Sequence, residues 1–210
     1  DDVVTAAVDS PELQHRIDRL VQRKQHDDHL RERIRTGLTD ATIDPLTGLY
    51  NRRYAIPHLN RMAGEAAKTN QPFALMMMDI DHFKSINDKH GHAAGDAILV
   101  QLSERLRENL RGIDLIARMG GEEFLVAMPR SSIRKASLAA DRLRCLVNNA
   151  PFLLDDGTSI DVTVSVGVAV SGKPNDPANV HEAMCERADQ ALYAAKEAGR
   201  NQVAVCKSAA

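Results

Sequence analysis

RMGGEEFLVAMP, residues 118–129, sets two glycines and two adjacent carboxylates ahead of an apolar run closed by proline. Glycine reaches backbone angles closed to other residues, so Gly120-Gly121 predicts a tight turn. Leu115–Arg118 before it and Phe124–Met128 after it then read as the arms of a β-hairpin. Outward from the hairpin, PFALMMMDID (72–81) is an apolar run ending in carboxylates, the pattern of a buried strand whose exit carries chemistry. DVTVSVGVAV (161–170) alternates as another strand, and residues 202–205 form a short last one. Helical spacing covers residues 52–68, a segment carrying Ile98, Leu99, Leu102, Leu106 and Leu110, then 132–148 and 177–198. A short helical stretch follows Asp81, and residues 90–96 read as a Gly-His loop. The order strand, helices, hairpin, helix, strand, helix, strand predicts an α+β core of βαββαβ type, with helices on an antiparallel or mixed sheet.

Hydrophobic residues make up 43% of the 210 positions and charged residues 27%, which fits a soluble globular chain. Aromatics are 3% and Trp is absent, so the core must be built from Leu, Ile, Val, Ala and Met. A net charge of −2 gives no general attraction to nucleic acid or an anionic membrane. Cys145, Cys185 and Cys206 are odd in number and fit no metal-ligand spacing, so a reducing cytoplasm is expected. No apolar run approaches a membrane span.

The first 42 residues read differently. Residues 1–8 look like a short Val-rich strand, and Ser10-Pro11-Glu12 like a helix start. Leu13, Ile17 and Leu20, then Leu30, Ile34 and Leu38, draw a thin apolar seam interrupted by QRKQHDDH. Such a seam suits a helix packed on its own domain or a stalk pairing two chains, and its narrowness favours the stalk. Asp44-Pro45-Leu46-Thr47-Gly48-Leu49 then turns into a second domain, 43–210.

Adjacent carboxylates at a glycine turn repel unless a cation stands near, and a divalent metal is the economical answer. Taken alone, Glu122 and Glu123 favour a solvated acidic turn, since exposed acidic turns are common. Asp79 and Asp81 shift the balance. Asp81 has an ordinary role available as cap of the following helix; Asp79 has none. If the strand and hairpin are sheet neighbours, Asp79 converges with Glu122 and Glu123, and such hard oxygen ligands select Mg²⁺ or Mn²⁺. His82-Phe83-Lys84 lies where a turn enters a helix, so free amides and a lysine there could hold phosphate. Asn87 and Asp96 have the donors and acceptors for a purine edge. Lys196 and Arg200 end a helix, where interaction with the helix dipole accounts for them as readily. His90 and His92 flank Gly91 without a partner pair for zinc and read as loop residues.

DPLTGLYNRR (44–53), MDIDHFKSINDKHGHAAGD (78–96), RMGGEEF (118–124), VSVGVAV (164–170) and ADQALYAAKEAGRN (188–201), in that order, resemble the GGDEF-domain diguanylate cyclases. The resemblance spans about residues 40–207. It implies a nucleotidyl-cyclase or polymerase-palm-like βααββαβ sheet. It also implies condensation of two GTP molecules into cyclic di-GMP by a homodimer, each protomer supplying one GTP half-site. In that family pattern Asp79, the Ile80 carbonyl, Glu122 and Glu123 hold metal, two ions per half-site, and Glu123 alternatively helps deprotonate the attacking hydroxyl. Asn87 and Asp96 fall on guanine; the His82 and Phe83 amides, Lys84, Lys196 and Arg200 fall on phosphates. Arg111-Gly112-Ile113-Asp114 matches the family's RxxD inhibitory site for bound product, with Arg142 where a second arginine completes it. A salt bridge at a helix end is the plain alternative for Arg111 and Asp114.

DDVVTAAVDSPELQHRI (1–17) resembles the last strand and helix of a response-regulator receiver domain, with Ala6-Ala7 where most receivers carry Lys-Pro. That departure implies a degenerate adaptor receiver, as in PleD-type response regulators, and residues 1–42 then comprise the end of a receiver plus a stalk. The absence of an initial Met fits a segment of something longer.

Overall fold

The computed structural model describes residues 19–21, 24, 41–171 and 180–206. The strand expected over 1–8, most of the stalk helix and the start of the helix placed at 177 fall outside the described residues. The chain divides into two units, Asp1–Ala41 and Thr42–Ala210. In the first, residues 19–21 are helical, and Leu20 and Val21 are exposed.

Among the described residues from Tyr50 to Val205, five helices flank a sheet. The strands of the main sheet are β1 (Tyr50–Asn51), β2 (Ala74–Ile80), β3 (Leu115–Gly120), β4 (Glu123–Met128), β7 (Val164–Val170) and β8 (Val203–Val205). A separate small hairpin joins β5 (Phe152–Leu153) to β6 (Ser159–Ile160). The helices are α1 (Arg52–Thr69), α2 (Phe83–His90), α3 (His92–Asn109), α4 (Ile133–Asn148) and α5 (Val180–Glu197). Strand order in the sheet is β1-β3-β4-β2-β7-β8. The four central strands are antiparallel; the outer pairs β1/β3 and β7/β8 are parallel. From β2 to β7 the main-sheet strands and their helices run βααββαβ.

β2 is buried along its whole length because helices cover both sheet faces. Its residues alternate between two cores, as a pleated strand requires. Ala74, Met76, Met78 and Ile80 join the side chains of α3 and α4, whereas Leu75 and Met77 join those of α1 and α5. α1 contributes Ala55, Leu59 and Met62, one stripe at helical spacing. α4 lies against the sheet through Ala136, Ala139 and Ala140, small residues that permit close approach. α5 lies closer still. A Cβ on Gly167 of β7 would stand 2.1 Å from the Ala188 carbonyl oxygen and 2.2 Å from the Leu192 nitrogen, so helix backbone rests on strand backbone.

Several elements depart from the sequence reading. Residues 90–96 are not a loop: Gly91, at φ 85°, alone separates α2 from α3, and a single left-handed glycine suffices for the break. β7 begins at Val164 rather than Asp161. β1 and the β5/β6 hairpin carry two residues per strand, too short for any periodic signal. Among the described residues no helix is long and apolar enough to cross a membrane.

Candidate functional site

The signature turn forms as its glycines require. Gly120 (φ 145°) and Gly121 (φ 54°) occupy angles that a side chain would resist. The β3/β4 register shifts between Arg118 and Gly120, so the strand bulges just before the turn. The turn is held from outside as well. Arg118 Nε donates to the Gly121 carbonyl at 2.9 Å, and its Nη1 donates to Asp44 Oδ1 at 3.1 Å. Asp44 also accepts from the Thr47 amide at 2.9 Å and hydroxyl at 2.7 Å. Burial opposes the Asp44 charge, but the Thr47 hydrogen bonds and the Arg118 guanidinium outweigh it and hold the carboxyl below its ordinary range. The sequence reading gave neither Arg118 nor Asp44 a role, although both lie in the quoted motifs.

Asp79 and the two glutamates do come together. β2 pairs with β4 so that Asp79 and Glu123 are direct cross-strand partners, and Glu122 precedes on the turn. Burial pushes the Asp79 carboxyl above its ordinary value, Lys196 pulls it down, and the charges of Glu122 and Glu123 push it up again. Lys196 Nζ, from the last turn of α5, stands 2.8 Å from Asp79 Oδ2, whose side chain is 8% exposed. Asp189 of the same helix also feels the cluster: burial and then Glu123 raise its carboxyl, with Arg52 opposing. Ile80 is the last residue of β2 and is buried.

Asp81 is not the helix cap that its position allowed. His82 occupies the cap of α2, in the left-handed region at φ 57°, with no side-chain capping bond. Asp81 is buried and accepts from Thr163 Oγ1 at 2.7 Å, Ser165 Oγ at 2.7 Å and the Asn201 amide at 3.0 Å. It therefore ties β2 to β7 and to the segment after α5. Asp81→Ala leaves three donors without their acceptor; a loss of about 2–4 kcal/mol of stability is expected. A urea midpoint unchanged from wild type would refute that role.

Beyond His82, the amides of Phe83 and Lys84 open α2; Phe83 is buried, and the His82 and Lys84 side chains are exposed. One turn further on, Asn87 Oδ1 is buried with no hydrogen-bond partner. It faces Gly95 of α3, where a Cβ would lie 1.9 Å away. The absence of a side chain at 95 is thus what admits the Asn87 amide. Asp96 follows directly and is exposed. Arg200, exposed and at φ 61°, closes α5 with its amide on the Ala195 carbonyl at 3.1 Å.

A second set lies at the far end of β3. Arg111 grips Asp114 through Nη2 at 3.0 Å and Nε at 3.2 Å, with the Asp114 side chain 1% exposed. Arg142 from α4 donates to the Asn109 carbonyl at 2.8 Å, two residues from Arg111. A cleft of ≈ 510 Å³ opens here between Arg107, Arg111, Asp114, Leu49 and Tyr50.

A family profile described as "Diguanylate cyclase, GGDEF domain" matches residues 41–202. The chain belongs to the GGDEF diguanylate cyclase family. It is 40% identical over 204 residues to the response regulator PleD of Caulobacter vibrioides, covering 96% of this chain and 44% of PleD. It is 39% identical over 195 residues to the diguanylate cyclase DgcP of Pseudomonas aeruginosa, covering 92% of this chain and 28% of DgcP. The chain thus spans less than half the length of these curated relatives. Among solved structures, the coiled coil and GGDEF domain of DgcB from Caulobacter crescentus, in complex with c-di-GMP, superposes with a TM-score of 0.81 at 33% identity. That match covers 89% of this chain and 97% of the other. The α+β fold with flanking helices is therefore that of the GGDEF domain, and the domain is a diguanylate cyclase domain.

GGDEF cyclases depend on a metal. Among the described residues, no three His, Cys, Asp or Glu side chains already form a cage for one. The donor chemistry nonetheless fits a hard divalent cation: Asp79 faces Glu123 across the ladder, feels the charge of Glu122 as well, and is relieved by a lysine ammonium.

Proposed function

We propose that the domain joins two GTP molecules into cyclic di-GMP, with each protomer of a homodimer presenting one nucleotide. The observation that carries this reading is the cross-strand pairing of Asp79 with Glu123, and the buried Asn87 Oδ1 without a partner supports it. The buried Asn87 Oδ1 and the exposed Asp96 carboxylate accept from the guanine N–H edge. The His82 and Phe83 amides, Lys84, Lys196 and Arg200 surround the triphosphate. Asp79, the Ile80 carbonyl, Glu122 and Glu123 would hold Mg²⁺ or Mn²⁺, two ions per half-site. When bound, such ions lower the pKa of the attacking hydroxyl and stabilise charge on the α-phosphate and leaving group. Glu123 takes the proton of the ribose 3′-hydroxyl. The 3′-oxygen then forms its bond to the α-phosphorus of the facing GTP as that bond to pyrophosphate breaks. A second, symmetric transfer closes the ring and releases the second pyrophosphate. The product's two-fold symmetry is the reason for two facing chains.

Arg111, Asp114 and Arg142 form the product-binding inhibitory site in this reading. Guanidinium forks suit both a phosphate and a guanine edge, and the adjoining cleft has room for part of a dinucleotide. We place the reaction in the cytoplasm, in keeping with cysteines that are odd in number and scattered along the chain. A receiver domain ahead of residue 43 would supply the control of dimer formation.

The deciding experiment follows cyclic di-GMP formation from GTP and Mg²⁺ against protein concentration. At low concentration the rate should rise with the square of concentration, and at high concentration linearly. Strict linearity throughout would remove the facing half-sites. Product binding without any turnover would reduce the domain to a receptor.

Base recognition has its own test. Gly95→Ala drives a methyl into Asn87 Oδ1 and should raise KM for GTP about 10–100-fold, the scale of one or two lost hydrogen bonds. An unchanged KM in steady-state kinetics would detach Asn87 from guanine.

A further inference from the structure

The salt bridge between Lys196 and Asp79 carries more than local stability. Asp79 lies at the buried end of β2, with Glu123 opposite and Glu122 on the adjoining turn. Three anions in one corner need a counter-charge, and the structure supplies it from the protein itself. Lys196 Nζ sits 2.8 Å from Asp79 Oδ2, in contact range for a charge-assisted hydrogen bond. Its backbone is not free to drift. α5 rests directly on Gly167, and the Ala195 carbonyl beside it accepts from the Gln202 side chain at 2.8 Å and the Arg200 amide at 3.1 Å. The ammonium is therefore aimed by a fixed helix end, while its four-carbon stem leaves it able to swing.

We infer that Lys196 is a built-in counter-cation that competes with the divalent ion for Asp79, so that ion and nucleotide load the site together. The inference rests on the reading of Asp79 as a metal ligand. An ammonium in hydrogen-bond contact with Oδ2 and a dication coordinated to the same carboxylate repel strongly at such a separation, and low local dielectric sharpens the repulsion. The ion enters only as Lys196 leaves. Alone, the ion must displace the lysine into a site still lacking its anionic substrate. With a nucleoside triphosphate present, the released ammonium finds phosphate oxygens, and the exchange becomes favourable. Coupling of this kind is reciprocal: whatever the nucleotide adds to ion affinity, the ion adds to nucleotide affinity.

Mn²⁺ binding to the nucleotide-free protein, followed by electron paramagnetic resonance, tests this directly. Lys196→Gln should tighten Mn²⁺ binding about tenfold, and Lys196→Arg, which keeps the charge, should leave it near wild type. Asp79→Asn should abolish binding at this position. If Asp79→Asn binds Mn²⁺ as wild type does, the metal reading of the corner itself fails. If Asp79→Asn abolishes binding while Lys196→Gln leaves it unchanged, the competition fails and the metal reading survives. A measurement on the unaltered protein guards against a variant that does not fold. Reductive methylation of Lys196, read by mass spectrometry, should speed up several-fold when saturating Mg²⁺ is added without nucleotide. An unchanged rate would overturn the displacement.

Discussion

Glu123→Gln is expected to lower cyclic di-GMP formation by about 10³-fold or more, because it removes a general base and a charged ion ligand in one step. The substitution is isosteric, so geometry is retained while charge and basicity are lost. Glu123 is exposed at the head of β4, and a surface change of this kind alters stability by about 0.5 kcal/mol or less. The two effects therefore separate. Chromatographic assay of product should show near-complete loss, while the thermal midpoint stays within a few degrees of wild type. Substantial turnover by a folded Gln variant would move the proton acceptor elsewhere, and Glu122 would be next to examine.

Gly167→Ala is expected to be the most damaging single methyl. An added Cβ meets the Ala188 oxygen at 2.1 Å, the Leu192 nitrogen at 2.2 Å and the Leu192 Cα at 2.8 Å, all backbone atoms that no rotamer change can move. The helix must lift from the strand. Overpacking of this severity costs about 3 kcal/mol. The displacement also carries Lys196 away from Asp79, and an error of about 1 Å in a positioned group is enough for a loss near 10²-fold in rate. Urea denaturation and turnover should fall together. A stable, fully active Ala variant would refute the direct seating of α5 on β7.

Much of this architecture was legible because strands and helices of seven residues or more carry a period. β2 announced itself as an apolar run and β7 by alternation, and α3 as a stripe of Ile98, Leu99, Leu102 and Leu106. The two-residue strands did not, since one alternation is no pattern. The α2/α3 junction was misread because Gly-His flanked by polar residues looks like a loop, while a lone left-handed glycine needs no more chain than itself. The carboxylate corner was legible in its parts. Its assembly depended on a register, Asp79 against Glu123, that the hairpin could only imply. Asp81 was misread for a related reason. Its partners Thr163, Ser165 and Asn201 lie far along the chain, and nothing local distinguishes a capping aspartate from one buried among hydroxyls. Asn87 and Gly95 show the same limit, since only the packing of α2 on α3 reveals that one makes room for the other.

The bond from Asp44 through Arg118 to Gly121 has a consequence for how such a domain could be governed. It bypasses the apolar interior altogether. The threshold where the chain enters the catalytic unit and the bend that presents the acidic pair are fastened by one guanidinium, like two pages held by a single staple. Tension or slack at the threshold reaches the bend without deforming a closely packed interior, which resists such deformation.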